Sequence, residues 1–194
     1  QYSHEFEYVF FSDDDTYAIV PNLVHFLHND VSIQLSRDLG VAYYGGRPMR
    51  RDHNVSSEWY DQYYHSGGGY IMDMHHALKE LVTHLSVSGT CHSASGVDNT
   101  HGDILLAECL LEIGIVPFDT RHPVTLAHRF HHNEPNHIVL YSGDSDDIGG
   151  NFYALYSLGF ISGVDGVASD SVMFHGLKNP YYLYNIKFYL DDCL

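Results

Sequence analysis

Five of the sixteen histidines of this 194-residue chain fall within sixteen residues, from His122 to His137, and Glu134 lies among them. Neutral imidazole is the commonest protein ligand for divalent transition metals, and a carboxylate beside it completes the set typical of non-haem iron and catalytic zinc. No spacing here matches H-E-x-x-H or paired C-x-x-C, so the same run also reads as an exposed, histidine-rich loop that binds nothing. A metal at this run needs one more ligand from later in the chain. His175, in Asp170-Ser171-Val172-Met173-Phe174-His175-Gly176, is the one histidine after His137. His132 and Glu134 with the distant His175 make a facial triad, which leaves three metal positions open for substrate, cosubstrate and oxygen. The metal expected is iron or zinc.

A second chemistry competes with the first. Cys91, in Gly89-Thr90-Cys91, precedes His137 by 46 residues, and a thiolate paired with a histidine is the nucleophile of papain-like and transglutaminase-like hydrolases. Those enzymes set the cysteine at a helix N-terminus, whereas Ser95-Gly96-Val97-Asp98-Asn99 breaks any helix soon after Cys91. Gly143-Asp144-Ser145-Asp146-Asp147 has the look of a calcium loop. Ile148 and Leu155 stand where such a loop needs ligands, so an acidic turn is the better reading. Arg47, Arg50 and Arg51 could hold an anion or simply line a solvated turn.

These residues must be carried by secondary structure. Residues 5–11 and 17–20 read as a hairpin around the acidic turn Asp13-Asp14-Asp15. Pro21 opens a short helix with Leu23, Phe26 and Leu27 on one face. Gly45-Gly46, Pro48 and Gly67-Gly68-Gly69 mark residues 45–70 as loops. Met74, Leu78, Leu81, Val82 and Leu85 give a helix from about Ile71 to Leu85, and a second runs from Asp103 to Ile113, with Thr100-x-x-Asp103 as its start and Gly114 as its stop. From Ile115 the periodicity becomes strand-like, with short runs at 115–118, 123–130, 137–142, 151–161, 171–174 and 181–190. The expectation is one α+β domain over 1–194. Its 1–114 portion mixes strand and helix, and 115–190 forms an antiparallel jelly roll (a double-stranded β-helix) flanked by helices.

Composition narrows the partners. At 44% hydrophobic residues the chain can bury one core. Nine basic residues face 25 acidic ones, a formal charge of −16, so nucleic acid and anionic membranes should be repelled. No apolar run approaches the length needed to span a bilayer. The substrate expected is a small molecule, peptide or carbohydrate. The aromatic stretch Tyr182-x-Tyr184-Asn185-Ile186-x-Phe188-Tyr189 keeps a non-enzymatic carbohydrate-binding or structural sandwich in view. Protonating the sixteen histidines would cancel the formal charge, so self-association should rise in mild acid. Asn54-Val55-Ser56 is one glycosylation sequon and tilts the compartment toward secretion. Cys91, Cys109 and Cys193 allow one bridge and a free thiol, in a pairing that the spacing does not fix.

His131-His132-Asn133-Glu134, Ile138-Val139-Leu140-Tyr141, Ile148-Gly149-Gly150-Asn151-Phe152 and Ser171-Val172-Met173-Phe174 follow one another in an order that resembles the core of iron- and 2-oxoglutarate-dependent dioxygenases of the prolyl-hydroxylase type. The resemblance covers roughly 115–190. It implies a His132/Glu134 metal pair, or His131 with Asn133, and Lys187 as the residue that binds the far carboxylate of 2-oxoglutarate. The family's distal histidine lies several residues beyond the phenylalanine, where this chain has Asn179-Pro180-Tyr181, while His175 follows Phe174 at once. The segment is also similar to a cupin, which would use His128, His131 or His132, and Glu134 without 2-oxoglutarate.

Overall fold

The computed structural model describes residues 5–50, 63–88, 91, 102–139, 156–179, 181 and 186, and its elements are mixed α and β. Its central strand is β4 (Tyr63–Asp73). Successive side chains of a strand face opposite ways, and here both faces are covered. Ile71 joins a core with Phe26, Ile33, Tyr43, Phe130, Val172 and Met173, whereas Met72 joins a second with Tyr44, Ala77, Leu81, Cys109, Leu110 and Ile115. β4 pairs antiparallel with β1 (Tyr8–Ser12) on one edge and β3 (Tyr44–Arg50) on the other.

Helices α1 (Val20–Asn29) and α2 (Val31–Leu39) supply Phe26 and Ile33 to the first core, and α3 (Ala77–Ser88) and α4 (Gly102–Glu112) close the second. A smaller sheet completes the first layer. In it β6 (Met173–Phe174) lies between β2 (Tyr17–Ala18), which is antiparallel to it, and β5 (Phe130–His131), which is parallel. Helix α5 (Pro135–Val139) follows β5. Among the described residues no helix is long and apolar enough to cross a membrane.

Several expectations are revised. The α+β class holds, and among the described residues the two three-stranded sheets do not close into a barrel. Within the described part of 115–190 the strands are the two-residue β5 and β6, paired in parallel, with isolated bridges at Phe118, Ser157 and the His128–Val167 pair. Residues 137–139, the start of the strand expected at 137–142, are helical, within α5. Pro at a first helical position favours that outcome, and a short apolar run does not discriminate helix from strand.

The expected hairpin at 5–20 is two strands in two different sheets, with the acidic turn as the link between them. Ile71–Asp73 belong to β4 and not to the helix, whose start Asp73 fixes by accepting hydrogen bonds from the backbone N–H groups of His76 (2.6 Å) and Ala77 (3.1 Å). Of that helix's expected face only Leu81 is buried, and Val82 and Leu85 are exposed. The second helix is close to expectation and stops at Gly114, whose φ is 79°. Thr100 lies outside the described residues. Helix α1 carries Leu23, Phe26 and Leu27 against the first core as expected.

The glycines read as loop markers lie in strands β3 and β4. Gly68 and Gly69 sit where β4 meets the small sheet. A Cβ on Gly69 would collide with Met173 Sδ, and one on Gly68 would come within 2.8 Å of His175 Cβ and Cγ. Close backbone approach is a regular use of glycine inside strands.

Candidate metal centre

The small sheet gathers side chains from three distant segments at one end. Phe130 pairs with Met173 and His131 with Phe174, so His132 and His175 are the next residues along two parallel strands in register. On the other side of β6, Tyr17 pairs with Phe174, which brings the acidic turn beside His175. Backbone bonds extend both pairings, from His175 N to the His131 carbonyl (3.0 Å) and from Leu177 N to the Asp15 carbonyl (3.0 Å). Thr16 Oγ1 donates to the Gly68 carbonyl at 2.6 Å, tying the turn to the strand whose glycine makes room for the His175 ring.

Hydrogen-bond partners then fix how the His175 ring is oriented. Its Nδ1 lies 2.8 Å from the His132 carbonyl oxygen. A carbonyl only accepts, so Nδ1 carries hydrogen. Its Nε2 faces Asp15 Oδ1 at 3.0 Å and Asp13 Oδ2 at 3.3 Å. Nε2 and the two carboxylates offer three ligand atoms to one point, an arrangement that could hold a metal cation. With bonds of about 2.1 Å, ligand atoms stand about 3.0 Å apart in an octahedron and about 3.4 Å apart in a tetrahedron, and the two distances from His175 to the aspartates fit that range. Anchoring the remote ring N–H on a backbone carbonyl is how metal-bound histidines are commonly oriented.

His132 stands beside this group, with its ring centroid 4.9 Å from that of His175. Burial, reinforced by the neighbouring His175 and Arg47 and opposed by Asp15, pushes its pKa down to about 4. It is therefore a neutral imidazole at neutral pH.

The expected triad of His132, Glu134 and His175 is thus brought together only in part. Two histidines meet, but Glu134 does not belong to either cluster of three metal-capable groups among the described residues, which are Asp13/Asp15/His175 and His84/Cys91/Glu112. Glu134 is buried immediately before α5, with Oε1 3.8 Å from His137 Nε2. The cupin ligands fare no better. His131 is fully buried and stacked on Phe174 at 4.5 Å between ring centroids. Its Nε2 lies 2.9 Å from Ser171 Oγ, whose hydroxyl donates to the Ala168 carbonyl, so His131 is the donor to Ser171. His128 is also buried, and in both residues burial first and the Arg47 guanidinium next push the pKa well below the usual imidazole value. A guanidinium that repels protons repels metal cations as well.

The hydrolase pair is also separated in role. Cys91 is bonded to Cys109 in a disulfide, which leaves no thiolate, and His137 is largely exposed beside Glu134. Lys187, Cys193, the 143–147 turn, the Asn54 sequon and the aromatic stretch (Ile186 aside) lie outside the described residues. Asp13 and Asp15 were legible in sequence only as an acidic turn. Their one local signal is a D-x-D alternation that aims two carboxylates to one side. The chain matches no protein-family model and no curated protein.

Proposed function

We propose that the protein binds a divalent metal ion through Asp13, Asp15 and His175, and works as a metal-dependent enzyme on a small molecule, peptide or carbohydrate. One observation carries this reading: the His175 ring is locked by a carbonyl on one nitrogen and faces two carboxylates with the other. Two hard carboxylates and one imidazole suit iron, manganese or zinc. Three ligands from the protein leave positions for water and substrate, where the metal would act as a Lewis acid or activate bound water. Partial exposure of Asp13 and Asp15 gives a substrate access from solvent.

The finer reading, an iron- and 2-oxoglutarate-dependent oxygenase or a cupin on a jelly roll, draws support from the motif order in 115–190 and from His132 and His175 standing in register at the end of one small sheet. In it the acidic turn replaces Glu134 as the source of carboxylate. The ligands and the jelly roll are separate proposals, because a site can be shared by many folds.

Metal analysis of untagged protein tests the site. About one equivalent of divalent metal should be retained, lost in His175→Ala, weakened at least tenfold in Asp15→Asn and unchanged in Glu134→Gln. A protein that takes up no iron, manganese or zinc, or one that loses metal with Glu134→Gln and keeps it with His175→Ala, would overturn the proposal. With metal present, consumption of 2-oxoglutarate and oxygen separates the oxygenase from other metal chemistry.

A further inference from the structure

We propose that reduction of the Cys91–Cys109 disulfide opens a second, zinc-binding site made of His84, Cys91 and Glu112, so that occupancy there follows the redox state of the cysteine pair. None of its residues belongs to the Asp13/Asp15/His175 group. His84 on α3 and Glu112 on α4 face one another, with Nε2 3.1 Å from Oε2 and each side chain 26% exposed. Cys91 Sγ is within 4.8 Å of both ligand atoms. Three ligands of three chemical types, from three segments, therefore point at one spot on the edge of the second core.

What withholds the metal is the sulfur's bonding. In the disulfide, Cys91 Sγ carries no charge and is a poor ligand. A dithiol reductant changes this: its two thiols attack in turn, the S–S bond breaks, the dithiol leaves as a disulfide, and Cys91 and Cys109 each end as a thiol. Zinc then displaces the proton of Cys91 and binds the thiolate. Tetrahedral zinc, with bonds of about 2.0–2.3 Å, sets its ligands about 3.3–3.6 Å apart, close to the His84–Glu112 separation, and the released sulfur needs only a short movement. Thiolate plus carboxylate balances the charge of Zn²⁺. The soft sulfur also selects zinc over the hard cations that suit the aspartate site. Cys109 stays in the core with Leu110 and Ile115.

Zinc content of the full chain, measured after equilibration with and without a phosphine reductant, tests the proposal. The phosphine converts the disulfide to two thiols, with water supplying the oxygen it takes up. Reduction should add one equivalent of zinc. Cys91→Ala should abolish the added equivalent, His84→Ala should weaken it at least tenfold, and Cys109→Ala, which frees Cys91 permanently, should take it up without reductant. No added zinc on reduction, or an added equivalent that survives both His84→Ala and Glu112→Gln, overturns the proposal. If circular dichroism shows Cys109→Ala unfolded, the His84→Ala comparison decides alone, because that partly exposed side chain leaves the disulfide intact.

Discussion

The histidines inside the molecule and the histidine at its edge are the same residue type put to opposite uses. His65, His128 and His131 are buried. They lie in the interior with Arg47, and burial holds each of them neutral. His175 is partly exposed and faces two carboxylates, a setting in which it could serve as a metal ligand where the others could not. A dense histidine run in sequence is therefore a poor guide to a metal. The partner decides, and the carboxylates proposed as ligands come from a turn more than a hundred residues away.

The largest effect that can separate the two regions is acid stability. Folding lowers the pKa of His65 to about 4 and drives those of His128 and His131 well below the usual value. Below pH about 6.5 the unfolded chain then binds protons that the folded chain refuses, so stability is complete above that pH and is lost as pH falls toward the folded values. Each group contributes a slope of up to about 1.4 kcal/mol per pH unit, and three give about 4 kcal/mol per unit. Against a typical total of about 5–15 kcal/mol, unfolding should occur near pH 5. Urea denaturation between pH 7.5 and 5 measures this. A flat profile would show that the interior histidines do not control stability.

Metal addition probes the edge instead. An ion that binds the folded state at 100 times its dissociation constant adds about 2.7 kcal/mol. Thermal unfolding with and without iron or manganese should show that gain in the native protein and none in His175→Ala. His131→Gln should lower stability by about 1–3 kcal/mol through its buried bond to Ser171 and leave metal uptake alone. If the gain follows His131 instead, the roles assigned to the two regions are reversed.

A smaller effect tests the contact between the sheets. Gly68→Ala places a methyl 2.8 Å from the His175 ring, so it should cost about 1–3 kcal/mol and weaken metal binding at least tenfold. Gly40→Ala is the control. That residue has φ 63° with nothing within 4 Å of the added carbon, so it should cost about 1 kcal/mol and spare the metal. Equal metal affinity in the two variants would mean that Gly68 does not position His175.

How much of this was legible beforehand follows from which interactions are local. The α4 helix and the Pro21 helix were readable, because a 3.6-residue period and a proline or glycine at an end are local signals. β4 was not. A strand buried on both faces has no alternation, and its glycines imitate loops while serving as crossing points. Of the expected triad, His132 and His175 stand side by side, with ring centroids 4.9 Å apart. Glu134 is near the histidines in sequence, whereas Asp13 and Asp15 come near His175 only through the pairing of β2 with β6. No periodicity encodes that pairing.

The smallest expected effect concerns self-association, where the two regions act in opposition. Protonation of all sixteen histidines would cancel the formal charge of −16. His65, His128, His131 and His132 resist protonation while the chain is folded. At most twelve therefore gain charge, and the formal net charge rises only to about −4. Repulsion should weaken between pH 7.5 and 5.5 without vanishing, and added salt, which screens charges over about 10 Å at 0.1 M, should narrow the difference further. Light scattering across that range should rise gradually and then sharply at the onset of unfolding. A sharp rise well above that onset, in protein that circular dichroism shows to be folded, would mean that the interior histidines take up protons in place, and the contrast between the two regions would fail.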